Sequence, residues 1–205
     1  MTSALLLAFF AASSTGSSAA IREPHALAHE IIERSELKGG LCVLIPAGDG
    51  RLETALTESG PYLVHGLSRD REAVAETRRR IEESHGCGRA SVEHVVDFER
   101  LPHADGLVNL LVIDQDRLDG DGPPEAEIRR VLAPDGKAII NSGGRWRTIS
   151  KPRPVGFGEW THLNHGPDGN PVSSDRHIAD PYGLRWIGSQ TMGWGSFSIR
   201  SAGSP

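Results

Sequence analysis

The stretch LCVLIPAGDGRL, residues Leu41 to Leu52, decides the fold. Its apolar, β-prone start breaks at Pro46 and passes through the small residues up to Gly50 into a segment that favours a helix. This order predicts a buried strand, a tight turn and the start of a helix. Small residues in such a turn let a ligand approach backbone N–H groups and the positive end of the helix. Because the same turn occurs in many strand-to-helix junctions, it predicts a ligand site only together with the rest of the chain.

The composition indicates a soluble, folded protein. A chain of 205 residues is long enough for one globular domain with a substantial core. The 22 basic and 27 acidic residues give a net charge of −5, and the basic residues form no sustained patch. Arg78, Arg79 and Arg80 are flanked by glutamates, which is typical of a solvated helix face. We therefore predict no nucleic-acid partner.

The cysteines and histidines predict neither a disulfide framework nor a metal site. Cys42 lies in the apolar strand and Cys87 in a loop between glycines, and neither belongs to a C-x-x-C pair. His162 and His165 are three residues apart, but no third ligand is apparent in the surrounding segment, which is rich in Gly, Pro and Asn. We expect two free cysteines and surface roles for these histidines.

The first twenty residues resemble a secretory signal peptide. The apolar run from Ala4 to Ala12 is too short to span a bilayer and is followed by small residues, including Ser18 and Ala20. We expect an exported, periplasmic or secreted protein with no stable membrane span after cleavage. The alternative is a frayed N-terminal tail on a cytoplasmic protein.

Beyond this leader, apolar periodicity predicts alternating helices and strands. The predicted helices are Glu23 to Leu37, Arg51 to Ser59, Asp70 to Ser84 and Glu125 to Leu132, and the predicted strands are Leu41 to Ile45, Tyr62 to Leu67, Ser91 to Val96, Leu107 to Ile113 and Lys137 to Ile140. Alternation of this kind indicates a parallel sheet covered on both faces. Ligands bind beyond the carboxyl ends of the strands in such sheets, so the residues at those ends are the candidate site.

Four segments, in this order, resemble small class I S-adenosylmethionine-dependent methyltransferases of the type 11 kind. They are VLIPAGDGRL (43–52), VHGLSRD (64–70), VDFERLPHADGLVNLLVID (96–114) and EIRRVLAPDGKAII (127–140). The resemblance covers about residues 23–142, and we treat 21–142 as a methyltransferase-like domain. It implies an α/β, Rossmann-like methyltransferase fold, with a parallel five-stranded sheet, helices on both faces and S-adenosylmethionine as the cofactor.

The resemblance also implies roles for the residues at the strand ends. Gly48 and Gly50 match the loop under the methionine part of the cofactor, although Pro46 replaces the family's first glycine and has no N–H group. Ser68 stands where the family has an acidic residue that binds both ribose hydroxyls. Asp70 is expected to cap the next helix.

On the adenine and substrate side, Asp97 matches the acidic residue near the adenine amino group, and Phe98 could offer its ring to the base. Asp114 faces the cofactor and substrate side, while loop capping is the alternative for both aspartates. The predicted cofactor-binding set is Pro46, Ala47, Gly48, Asp49, Gly50, Ser68, Arg69, Asp97, Phe98 and Asp114. No catalytic residue is predicted, because methyl transfer from a sulfonium depends mainly on positioning and exclusion of water.

The C-terminal extension, residues 143–205, is rich in Gly, Pro and Asn. No lasting period follows Ile140, so we expect the sheet to end at five strands, without the family's final antiparallel strands. The extension resembles the segment that joins a methyltransferase-like domain to a pyrroloquinoline-quinone-type β-propeller in exported bacterial proteins, with Trp160 and Trp186 as packing anchors. A separate propeller domain is therefore a possible partner.

Three hypotheses on function follow. The first is a methyltransferase that acts on an unknown small molecule or protein group. The second is a non-catalytic form of the same fold, in which the cofactor has been lost and the chain serves as an exported scaffold, and Pro46 and Ser68 favour it. The third, dinucleotide binding, is weaker because it too requires an acidic residue at the end of the second strand.

Overall fold

The computed structural model describes residues 23–84, 88–118, 120–158, 161–170, 172–173 and 175–176. The predicted leader lies outside them, as do Cys87, Trp160 and Trp186. Six strands follow one another along the chain: β1 (Gly40–Ile45), β2 (Tyr62–Ser68), β3 (Ala90–His94), β4 (Val108–Asp114), β5 (Leu132–Ser142) and β6 (Arg145–Ser150). They form one sheet in the order β3-β2-β1-β4-β5-β6, in which only β6 is antiparallel to its neighbour.

The prediction that the sheet ends at five strands, without a final antiparallel strand, is therefore wrong. Ser142 pairs with Arg145, so β5 and β6 are joined by the two-residue turn Gly143-Gly144. Both glycines have positive φ, 58° and 71°. Two-residue hairpin turns require this conformation, and glycine adopts it without steric cost. The Gly-Gly pair between two β-prone runs was the sequence signal for this hairpin.

Four helices cover the sheet: α1 (Pro24–Ser35), α2 (Arg51–Glu58), α3 (Arg71–Glu83) and α4 (Glu125–Val131). The first three pack on one face, where their apolar residues meet alternate residues of the central strands. On the other face, α4 contributes Ile128 and Val131 to a second core cluster. No described helix combines the length and the apolar content that a membrane crossing would require.

The strict alternation of strands and helices fails between β3 and β4, which are joined by the loop 95–107. Phe98 and Leu101 from this loop are buried in the second core cluster and take the place of a covering helix. The cover is incomplete over β2, where the side chain of Leu63 remains about half exposed (54%). The loop is fixed in position, because it also carries residues that bind α4.

The order of the strands places a switch point at the centre of the sheet. From β1 the chain first continues outward to β2 and β3, and then crosses to β4 on the other side of β1. The two loops that follow β1 and β4 therefore leave the sheet in opposite directions. The crevice between them, at the carboxyl ends of these strands, is where open α/β sheets bind ligands.

Candidate functional site

The loop after β1, residues 46–50, lies at this switch point. The Ala47 N–H donates to Leu67 O (2.7 Å), and the Gly48 N–H donates to Glu53 Oε1 (3.3 Å). Pro46 has no N–H to offer. The first half of the loop therefore directs its backbone donors into the protein.

Two side chains of helix α3 donate hydrogen bonds to the loop. Thr77 Oγ1 donates to Gly48 O (2.7 Å), and Arg80 Nε donates to Asp49 O (2.6 Å). Gly50 ends the loop with a φ of 86° and forms the N-cap of α2, a left-handed conformation that favours glycine. The loop is thus held at its carbonyl groups as well as at its N–H groups.

Glu53 is a buried acidic residue beneath the loop that the sequence interpretation did not identify. Its side chain lies in the first turn of α2 and is 1% exposed. Burial raises the pKa of Glu53, while hydrogen bonds from the N–H groups of Glu53 and Gly48 and the charge of Arg117 oppose this rise. An acidic residue at the third position of a helix commonly reaches back to N–H groups at the helix start, and that pattern could have revealed it.

Arg117 also contacts Gly48. A Cβ atom added to Gly48 would be 2.6 Å from Arg117 Nη2 and 3.2 Å from Nη1, so the guanidinium lies directly against the glycine. Arg117 is the last residue of a short 3₁₀ turn, Gln115–Arg117, that follows β4. The two sides of the switch point thus meet at this contact, which sequence spacing alone could not indicate.

At the end of β2 the structure places Ser68 as predicted, with a buried side chain (3% exposed). Ser68 Oγ accepts a hydrogen bond from the Asp70 N–H (3.1 Å), and its own hydroxyl proton remains to be donated. Asp70 Oδ1 accepts from the Glu72 N–H (2.8 Å), so Asp70 is the N-cap of α3, as expected. The Asp70 carboxylate is therefore already engaged in capping α3.

On the loop after β3, Asp97 and Phe98 differ in accessibility. Asp97 is exposed, and its Oδ1 accepts from the Glu99 N–H (2.9 Å), which is the loop-capping role. Phe98 is only 2% exposed, and the Arg69 guanidinium lies 5.0 Å from the centre of its ring. Phe98 is thus a core residue whose ring is covered by Arg69, and it does not present the open ring face expected for adenine.

Asp114, at the end of β4, accepts a hydrogen bond from Asn141 Nδ2 (2.8 Å) on β5. Asp116, two residues further on, accepts from the N–H groups of Gly143 (2.6 Å) and Gly144 (3.0 Å). These bonds hold the pKa of Asp116 below its usual range. The β5–β6 turn and the 3₁₀ turn that carries Arg117 are therefore tied together.

Three of the predicted site residues, Gly48, Ser68 and Asp97, lie at one edge of the sheet. Gly48 follows β1, the buried Ser68 is the last residue of β2, and the exposed Asp97 follows β3. Arg117 adds a positive charge beside Gly48, which suits an anionic group. Within the described ranges, no group of three acidic, His or Cys side chains is arranged to hold a metal ion.

Solved structures with this fold include methyltransferases. A Methanococcus maripaludis protein described as a candidate S-adenosyl-L-methionine-dependent methyltransferase aligns with a TM-score of 0.53 and 23% identity, over 60% of this chain and 57% of that one. A geranyl diphosphate C-methyltransferase from Streptomyces coelicolor A3(2), in complex with S-adenosyl-L-homocysteine, aligns with a TM-score of 0.50 and 16% identity, over 56% of this chain and 44% of that one.

The [4+2]-cyclase SpnF aligns equally well, with a TM-score of 0.50 and 23% identity over 57% of this chain and 43% of its own. The chain thus spans about half the length of these structures. No protein-family model matches the sequence, and no curated protein matches it. At these identities the likeness establishes the architecture, and the cyclase shows that the architecture also serves other chemistry. The chain has the α/β, Rossmann-like fold of S-adenosylmethionine-dependent methyltransferases, with a six-stranded mixed sheet.

Proposed function

We propose that this chain binds S-adenosylmethionine at the carboxyl edge of β1, β2 and β3 and transfers its methyl group to a small-molecule or protein acceptor. The observation that carries the proposal is the position of Gly48, at the switch point of the sheet and supported on both sides. Thr77 holds its carbonyl group from below, and Arg117 lies against its Cα atom. Fold analogy supports the choice of cofactor.

Each residue at this edge has a role that its observed contacts allow. The methionine part would lie along the loop Gly48 to Gly50, beside the Arg117 guanidinium that packs on Gly48. Ser68 can donate its hydroxyl proton to one ribose hydroxyl, because its lone pair already accepts from the Asp70 N–H. Asp97 has a second carboxylate oxygen that can accept from the adenine amino group while Oδ1 caps its own loop.

When bound, the cofactor would supply a methyl group activated by a positively charged sulfur. The protein need only orient the acceptor in line with that methyl group and exclude water, which accounts for much of the rate in transfers of this kind. We assign no general base. Asp114 lies at the end of β4 beside the glycine loop, which places it on the side where an acceptor would enter.

Calorimetric titration of the full chain tests the proposal. We expect saturable binding at one site for S-adenosylmethionine and for S-adenosylhomocysteine, and none for NADH. The full chain is required because β6, residues 145–150, belongs to the sheet. Absence of binding by both adenosyl compounds to a folded chain would contradict the proposal and favour the non-catalytic alternative, whereas binding of NADH alone would favour a dinucleotide site.

A further inference from the structure

The guanidinium of Arg117 is the least committed charge at the switch point. Both of its terminal nitrogens lie against Gly48, where a Cβ atom would come within 2.6 and 3.2 Å of them. Arg117 is exposed, and no hydrogen bond or ion pair from its guanidinium to another residue of the described chain is found. Its charge is therefore available to a ligand that approaches the glycine loop.

The acidic groups around Arg117 are already engaged. Glu53 is buried, and its Oε1 accepts the Gly48 N–H, while the charge of Arg117 opposes the rise of its pKa. Asp49 pairs with Arg51 (3.1 Å), and Asp114 accepts from Asn141. A ligand carboxylate is thus the anion best placed to meet the guanidinium, because it would not have to displace an existing partner.

The position of Arg117 is also fixed by the fold. Asp116, the preceding residue, binds the N–H groups of Gly143 and Gly144 in the β5–β6 turn. Asn141 Nδ2 donates to Asp114 (2.8 Å) and also to Asp116 Oδ2 (3.2 Å). The 3₁₀ turn is thereby held against the hairpin through its middle residue and the residue that precedes it. The backbone of Arg117 is thus already in place, so ligand binding would order only its side chain.

We propose that Arg117 binds the carboxylate of the ligand's amino-acid end and holds that end over Gly48. This inference rests on the proposed function and adds a residue that determines which adenosyl compounds are retained. A guanidinium forms paired, charge-assisted hydrogen bonds with a carboxylate, in a geometry that lysine does not reproduce. Arg117 would therefore discriminate between adenosyl compounds with and without an amino-acid end.

The test compares S-adenosylhomocysteine with 5′-methylthioadenosine, which has the same nucleoside and a thioether sulfur but no amino-acid end. Both are titrated into the full chain and into the variants Arg117→Ala and Arg117→Lys. In Arg117→Ala we expect the affinity for S-adenosylhomocysteine to fall by about ten- to a hundredfold, since a charge-assisted hydrogen bond is lost. The affinity for 5′-methylthioadenosine should be unchanged, and Arg117→Lys should recover part of the loss.

The matched control is Arg129→Ala, which removes the same charge from α4, where Arg129 pairs with Glu125 (2.7 Å). It should bind both compounds as the parent does. Equal losses for the two compounds in Arg117→Ala, or no loss for either, would overturn the role of Arg117 while leaving the nucleoside site intact. If the folded parent binds neither compound, the proposed function itself fails, and the role of Arg117 fails with it.

Discussion

Arg130 Nη2 donates to Glu127 Oε1 at 2.6 Å, one turn away on α4, and the pair is almost wholly buried. The same guanidinium donates to the carbonyl groups of Leu101 (3.1 Å) and His103 (2.9 Å). Glu127 Oε1 in turn accepts from the Leu101 N–H (2.7 Å). This pair therefore fastens α4 to the loop 95–107, which carries Asp97.

The variant Arg130→Met should lower the free energy of unfolding by about 3 kcal/mol, because the buried Glu127 carboxylate would keep only the exposed and more distant Arg100 (3.6 Å) as a cation. Urea denaturation measures this change. The neighbouring variant Arg129→Met is the control, since Arg129 forms an exposed pair with Glu125, and its loss should cost about 0.5 kcal/mol or less. Equal losses in the two variants would show that the Arg130 contacts do not fasten the loop.

The His65–His103 pair predicts a dependence of stability on pH. His65 Nδ1 and His103 Nε2 are 3.0 Å apart, and His103 is 8% exposed. Burial, with the neighbouring His65 and Arg130, lowers the pKa of His103 to about 4, whereas in the unfolded chain it is near its ordinary value. Between these two values the unfolded chain binds more protons, so stability is lost as the pH falls.

The variant His103→Gln removes this titration while keeping a polar side chain. Between pH 7 and pH 4.5 the parent should lose on the order of 1 to 3 kcal/mol more stability than the variant does. Urea unfolding at a series of pH values measures the difference. Parallel curves for the parent and the variant would show that His103 titrates as an ordinary exposed histidine.

Ser68 offers one hydroxyl where a carboxylate could bind two ribose hydroxyls. The variant Ser68→Asp should bind S-adenosylhomocysteine about ten- to a hundredfold more tightly, because charge-assisted bonds would replace a neutral one. Asp70 does not compensate in the parent, since it caps α3. Calorimetry measures the change, with the exposed Ser91→Asp as a control for added charge. Weaker binding in Ser68→Asp would show that another group holds the ribose.

The leader remains a prediction, since residues 1–20 lie outside the described part of the chain. We propose that it is removed on export and that the mature protein begins near Ile21, because the apolar run is too short for the roughly 30 Å core of a membrane. Mass spectrometry of the protein from its native source measures the first residue. Intact Met1 in a cytosolic fraction would contradict export and agree with a cytoplasmic enzyme.

Much of the sheet could be predicted because local patterns determine it. The predicted bounds of β1, β2 and β4 differ from the observed bounds by no more than one residue at either end. Buried parallel strands contain few polar interruptions, so their apolar runs are easy to recognise. The strand β6 was missed because its exposed side chains, such as Arg145 and Arg147, show little apolar period. Only the Gly143-Gly144 turn signalled it.

The site was predicted in part for the same reason. Gly48, Ser68 and Asp97 follow strands, so the order of elements placed them at one edge. The positions of Glu53 and Arg117 depend on how α2 and the 3₁₀ turn pack, which no local pattern determines. The burial of Phe98 in the second core cluster also depends on tertiary packing, because the loop 95–107 covers the sheet there.

The central claim is that the ligand lies over Gly48, and calorimetry of Gly48→Val tests it most directly. The φ angle of Gly48 is not in the left-handed region, and the three atoms nearest to an added Cβ all belong to the flexible end of Arg117, so the fold should survive. Gly60→Val is the matched control, because its added Cβ would also meet a side chain, Tyr62, at 2.9 Å.

With thermal unfolding confirming that both variants fold, S-adenosylhomocysteine should bind the parent and Gly60→Val alike. Gly48→Val should lose about a hundredfold or more in affinity, because a branched side chain would displace the Arg117 guanidinium and crowd the space proposed for the methionine part. Binding by Gly48→Val that is as tight as that of the parent would contradict the account.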